Sequence, residues 1–323
     1  MEGLIDVFVL GFLVLIAVAA IRQRDLFAVA MLFGVYSFMT AALFMDLDAV
    51  DVAFTEAAVG AGVTTVLLLS SLRLTTRWEK RPRHSPLLPL MVVTVTGAAL
   101  VYATLDAPLL GDPTAPAHVH VAPRYIQQGP TEVGMPNIVT AVLASYRGYD
   151  TLGETFVIFT AGLGVLLLLG IQDGPGTRPG SSAIGEHLVL RVVVKMLLPL
   201  ILLFALYVQF HGDFGAGGGF QAGVILATGF ILYDLVFGDG DARLVVPPRW
   251  LHRLAALGVL IYAAVGLFAM LRGYAFLDYS ALAADPVDGQ HLGVMLVELG
   301  VGITVFSVVM AVFYALAGRR RIP

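Results

Sequence analysis

The chain has 323 residues, of which 58% are apolar and only 13% charged, with a net charge of -4 and a mean hydropathy of +0.87, whereas soluble proteins carry roughly 25% charged residues. This composition implies an integral membrane protein and excludes an ordinary soluble enzyme. The absence of cysteine excludes disulfides, thiolate metal sites, iron–sulfur ligation and a cysteine nucleophile, and basic residues grouped between apolar runs do not make a nucleic-acid surface.

Apolar windows fall at about 4–21, 26–45, 50–72, 87–105, 152–171, 188–210, 219–238, 251–271 and 291–317, each near the roughly 20 residues that a spanning helix needs. The expected fold is an all-α polytopic membrane protein with about nine transmembrane helices. The first window has no basic flank and no small-residue cleavage site, so it reads as a first span and not as a removable leader. Between Pro136 and Tyr146 lies a shorter apolar piece, expected to form an interfacial or re-entrant helix. Two stretches look like joints: the basic, proline-punctuated 73–89 and the flexible 172–182. The loop from Asp106 to Met135 carries His118, His120, Arg124 and Glu132, but the two histidines share a face only if extended and lack a third ligand, so no metal site is expected.

The distribution of Lys and Arg checks the span count. Arg22, Arg24, Arg73, Arg77, Lys80, Arg81, Arg83, Arg178, Arg243, Arg249, Arg253, Arg319, Arg320 and Arg321 all follow odd-numbered spans, which puts 14 of 19 on one side. Basic residues in short loops stay cytoplasmic, so the N-terminus is expected outside and the C-terminus in the cytoplasm.

Ionisable residues inside the spans are the candidates for function, because a charge at mid-bilayer costs about 2.5–3.5 kcal/mol on insertion scales. Glu56 lies early in span three among small residues at 57, 58, 60, 61 and 62, which let another helix approach closely; it reads as a proton or ion site, or as a paired structural carboxyl. Glu154 follows Asp150 and Thr151, either of which would cap a helix and put Glu154 in its first turn, a placement that local electrostatics favour with or without a role in ion passage. Arg191 and Lys195 are spaced i and i+4 on one face of span six; Lys195 is the better proton carrier, because a buried lysine loses its proton far more readily than a guanidinium does. Glu298, about two turns into span nine beside Gly293, Gly300 and Gly302, is a fourth candidate for the ion path. Between spans six and seven runs His211-Gly212-Asp213-Phe214-Gly215-Ala216-Gly217-Gly218-Gly219-Phe220-Gln221, read as a tight structural hairpin; no Gly-Lys-Ser/Thr follows, so it is no phosphate loop.

Three stretches carry a family resemblance. Asp51 to Leu68 resembles the D-type small chain of membrane-bound hydrogenases and the C-terminal part of the large A-type chain of Mrp antiporters. Arg147-Gly-Tyr-Asp-Thr-Leu-Gly-Glu154 is similar to the E-type chain of the same systems, and 188–237 resembles the B-type (MnhB) chain of Mrp antiporters. Within the hairpin, Asp213 stands where the family pattern has a second histidine, and Gly215-Ala216 stands where it has Ser-Pro. The resemblance implies three modules: a three-helix D-type module at 1–80, a two-helix E-type module at 81–175 and a four-helix MnhB-like module at 183–323. It further implies one component of a multi-subunit exchanger of Na+, or another monovalent cation, for protons in the inner (plasma) membrane. Such a component is not itself an enzyme, has no cofactor of its own, and works with large antiporter-like A and D chains and small C, E, F and G chains. On this reading Glu56, Glu154, Lys195 and Glu298 belong to an ion path or proton relay. The ion-translocating arm of a redox-driven complex such as a membrane-bound hydrogenase, and a purely structural scaffold, are the alternatives.

Overall fold

The structure, a computed structural model, describes residues 2–80, 85–109, 111–170 and 187–318. The joint at 172–182 and the basic residues Arg81, Arg83, Arg178, Arg319, Arg320 and Arg321 lie outside them. Among the described residues there is no β-strand, and nine helices are long and apolar enough to cross a bilayer. The spans are α1 (Glu2–Arg22), α2 (Leu26–Asp46), α3 (Val50–Leu72) and α4 (Leu87–Thr104). After a loop that holds α5 (Ala122–Glu132) and the short α6 (138–146) come α7 (Gly148–Leu169), α8 (Leu188–His211) and α9 (Gly219–Phe237). A small helix, α10 (Asp239–Val245), then leads into α11 (Pro248–Leu271) and α12 (Pro286–Ala317). The chain is therefore a polytopic all-α membrane protein.

Two helix starts differ from expectation. α7 begins at Gly148, with Arg147 in the cap position and no side-chain cap, so Asp150 and Thr151 lie inside the helix and Glu154 falls in its second turn, not its first. α12 begins at Pro286 behind Asp285, whose Oδ1 accepts from the Val287 amide at 2.8 Å, so Glu298 lies about three turns in. In both cases polar residues extend a helix beyond its apolar window, because hydropathy marks the lipid-crossing part and capping marks the true start.

The 32-residue α12 is the axis of the core, packed against α7, α9 and α11. Lipid tails are as apolar as the helices, so close packing must hold them together, and small residues permit it. A Cβ on Gly300 would lie 2.7 Å from the Gly258 carbonyl of α11, and one on Gly223 of α9 would lie 2.6 Å from the Gly302 carbonyl. At the other extreme, no residue of α4 is buried and Gly97 has open space around it. Part of the 73–89 joint is fastened to the α1–α2 turn: the Asp25 carboxylate takes the Arg77 guanidinium at 2.6 Å, the Leu26 amide donates to Arg77 O at 2.9 Å and the Glu79 amide to Arg24 O at 3.0 Å.

These contacts give a contrast between glycines. Gly223→Leu should cost about 1–3 kcal/mol by overpacking against α12, seen as a lower Tm of the purified protein. Gly97→Ala meets nothing and removes a helix-weakening glycine, so it should leave the Tm unchanged or raise it.

Candidate functional site

The site is built on the break between α8 and α9. His211 ends α8, with its ring stacked on Tyr207 at 4.8 Å, and its carbonyl accepts from the Phe214 and Gly215 amides. The Gly218 amide closes the turn by donating to Val208 O at 3.0 Å. Gly218 has φ 122°, a conformation that disfavours side chains, and a Cβ on Gly219 would collide with the Glu298 main chain. The glycine run thus lets the hairpin lie directly against α12 at Glu298.

The hairpin's free carbonyls are taken up by α6, a turn of helix at Ile138–Thr140 continued by π-helical turns at Ala141–Tyr146. Asn137 Nδ2 donates to Gly212 O at 3.0 Å and to Gly215 O at 2.8 Å, its amide donates to Asp213 O at 3.1 Å, and Thr140 Oγ1 donates to Gly212 O at 2.6 Å. The expected interfacial or re-entrant piece is therefore a half-helix docked on the hairpin. Two fully buried tyrosines hold its far end, Tyr279 donating to Ala144 O at 2.9 Å and Tyr262 to Gly148 O at 2.8 Å. At its edge Tyr146 donates to Glu132 at 2.5 Å, and Arg124 donates to the same carboxylate at 3.0 Å. The Tyr146 hydroxyl, and after it the Arg124 guanidinium, hold the Glu132 carboxyl below the usual range. Burial, and then this bond, push Tyr146 up to about 12.

Hairpin and half-helix roof a cavity of about 540 Å³ among α3, α6, α7, α9 and α12. Its walls are mostly aliphatic, and its polar groups are Asp51, Thr55, Thr140, Thr151, Glu154, Thr155, Gln221 and Glu298. Asp51 accepts from the Gly217 amide at 3.2 Å, and Gln221 Nε2 donates to Thr55 Oγ1 at 2.9 Å, so α3 is tied to the hairpin through polar contacts. The four long helices around the cavity are spans three, five, seven and nine, and each begins at this end of the bundle. The starts of spans three, five and seven lie at the cavity, and their positive dipole ends favour carboxylates there.

Glu154 and Glu298 therefore share one cavity with hairpin residues Gly217, Gly218, Gly219, Phe220 and Gln221. The other hairpin residues frame it from outside: Gly212 supplies a carbonyl to the half-helix, and Asp213 faces His291 at 3.6 Å. Glu56 points elsewhere. A Cβ on Gly60 would lie 2.5 Å from Glu56 Oε1 and 2.6 Å from Ser37 Oγ, so carboxyl and hydroxyl meet across the space that this glycine leaves open between α3 and α2. Lys195 is not near the cavity either; its Nζ stands 5.7 Å from the ring centre of Phe237, at the end of α9 opposite to the hairpin. Asp51, Thr55 and Asn137 were not singled out from the sequence. A signal existed for the first two, since positions i and i+4 share a helix face, but the more deeply placed Glu56 masked it.

Fold and site define a polytopic membrane protein whose acidic residues gather beneath a glycine-rich hairpin between two spans. Residues 189–311 match the family described as a domain related to the MnhB subunit of Na+/H+ antiporters, residues 11–77 the MbhD family of MBH subunits and residues 83–193 the MbhE family of MBH subunits. A putative antiporter subunit mnhB2 of Staphylococcus aureus is 33% identical over 138 residues, 42% of this chain and 97% of that protein. The chain belongs to the MnhB family of antiporter subunits, joined to D- and E-type sequence. A probable K+/H+ antiporter A/B-type chain of Rhizobium meliloti is 28% identical over 323 residues, 88% of this chain and 31% of that protein. A chain of the Mrp complex from Dietzia superposes with a TM-score of 0.75 at 28% identity over 96% of this chain and 34% of its own. The present chain thus spans about a third of these two longer relatives.

The roof of the cavity should depend on Asn137. Asn137→Leu strips the half-buried Gly215 O of its side-chain donor and should cost about 1 kcal/mol, the net worth of a typical hydrogen bond. Hydrogen exchange should speed up over residues 211–220, while the α11–α12 contact keeps its protection.

Proposed function

We propose that this chain is a membrane component of an Mrp-type exchanger of monovalent cations for protons. It takes part in the ion path and bridges the larger antiporter-like subunits. One observation carries the reading: Glu154 and Glu298 enter the same cavity, under a hairpin whose family is that of Na+/H+ antiporter subunits. Each carboxylate holds either a proton or a cation, and competition between the two at one site is the least that exchange requires. The hydroxyls of Thr55, Thr140, Thr151 and Thr155 add the hard oxygen ligands that an alkali cation prefers. Glu56, facing Ser37, forms a second polar station on the α2 side of span three. In the proposed setting, the inner (plasma) membrane with the N-terminus outside and the C-terminus in the cytoplasm, the beginnings of the odd-numbered spans open the cavity to the outside. The proposed partners are the large A and D chains and the small C, E, F and G chains; the protein itself performs no chemical conversion.

In vesicles containing the assembled complex, Glu298→Gln and Glu154→Gln should each abolish cation-driven proton movement, followed by the recovery of a fluorescent pH dye after Na+ or K+ is added. Glu56→Gln should do the same. Normal exchange with any one variant removes that residue from the path, and normal exchange with all three removes the reading. The matches to the MbhD and MbhE families favour a second reading, the ion-translocating arm of a redox-driven complex. Iron–sulfur or nickel absorption that purifies with the chain would select that reading, whereas antiporter-like chains as its sole companions would select the exchanger.

A further inference from the structure

Lys195 and Arg191 lack any role at the cavity. Both sit in the first half of α8, four residues apart, and both cover the same ring: the Arg191 guanidinium carbon is 5.6 Å and the Lys195 Nζ 5.7 Å from the centre of Phe237. Neither forms an ion pair with a carboxylate among the described residues, and both side chains are exposed on the bundle surface. Next to them Val192, Met196, Leu200 and Leu203 are also exposed, at 48%, 70%, 61% and 64%. α8 packs buried Val194 against Val236 and Phe237 of α9, so Arg191 and Lys195 lie at the edge of that contact, between it and the exposed face.

Depth decides what covers this face. The 24 residues of α8 are about 36 Å long, so Lys195 lies about 7 Å and Arg191 about 13 Å from the middle of the helix, within a hydrocarbon half-thickness of about 15 Å. Arg191 reaches the headgroup layer by extending outward, as long cationic side chains do near helix ends. Lys195 lies one turn deeper, where the Phe237 ring is its contact on this chain, and an opposite charge at its own level neutralises it there.

We infer that the Lys195 face of α8 is the docking surface for a transmembrane helix of another subunit, one that carries an Asp or Glu within the membrane opposite Lys195. Arg191 extends the positive strip to the membrane surface. Charge complementarity argues for this occupant, since tail-facing lysine is disfavoured and a carboxylate on a neighbouring helix neutralises it at its own depth. The docking is independent of transport through the cavity.

The test is retention of partners. The tagged chain, coexpressed with its neighbouring subunits, is purified from membranes with mild detergent, and the membrane chains retained per copy are measured. Lys195→Gln removes a charge that is unfavourable in lipid, so the amount of the chain in the membrane should hold or rise, while retention of one partner falls several-fold. Lys195→Glu should reduce retention further, and Lys195→Arg should preserve it. A photoreactive side chain at position 196 should crosslink to that partner, in a span containing an acidic residue whose change to Lys restores retention by Lys195→Glu. Equal retention by Lys195→Gln, Lys195→Glu and the unaltered chain would overturn the inference. So would a loss of bound anionic phospholipid in these variants with partner retention unchanged, which would make the face a lipid site.

Discussion

The ends of a helix leave amides and carbonyls without partners in the helix itself, and where such ends are packed into protein those groups must be satisfied by neighbouring segments. The α8–α9 hairpin joins two such ends, and much of the structure answers to it. Val208 and His211 accept amides of the turn, while Asn137 and Thr140 reach in from the half-helix to take the carbonyls of Gly212 and Gly215. A side chain at 218 would be strained, and one at 219 would strike α12, so hairpin and axis helix meet backbone to backbone. The half-helix in turn hangs from Tyr262 and Tyr279, whose hydroxyls find its carbonyl end and the start of α7.

The position of the cavity follows from that closure. The hairpin brings the N-terminus of α9 against the middle of α12, and the half-helix brings that of α7 to the same level. Their converging dipole ends make a neighbourhood where carboxylates are at home and where a cation is held by those carboxylates and not by the helices. Of the two π-helical stretches, Ala141–Tyr146 in α6 supplies Leu143 and Ala144 to the cavity wall, and Ala57–Thr64 in α3 begins just beyond Thr55, the last α3 residue of that wall. Such distortions recur at functional sites because they re-aim side chains that a regular helix would leave on a fixed face. Thr55 and Glu56 are neighbours in sequence yet serve opposite sides of α3, one meeting Gln221 and the other facing Ser37.

The spans, their number and the candidate acids were legible in the sequence, because lipid imposes long apolar windows and makes any charge within them conspicuous. Helix starts were less so: Gly148 and Pro286 precede the apolar stretch, and capping by Asp285 is a local signal that hydropathy does not register. The grouping of the site was only partly legible. Glu154 and Glu298 meet because odd-numbered spans begin on one face, and the same alternation sends Lys195, near the start of an even-numbered span, to the opposite face. Asp51 stayed hidden because an acid at a helix start ordinarily reads as a solvated end; its bond to the Gly217 amide depends on the tertiary position of the hairpin.

The least buried parts of the chain close the physical account. α4 has no buried residue, and α1 and α8 bury only a few, whereas most of α12 is enclosed. The uncharged faces of such helices are indifferent between lipid and protein neighbours, because dispersion contacts are similar in both. A charge removes that indifference. The face of α8 that carries Lys195 is therefore a part of the surface where physics discriminates between lipid and protein, and the apolar faces need only shape to follow. The chain thus presents two kinds of polar interior: one complete in itself beneath the hairpin, and one half-made at its edge, completed by an opposite charge from outside.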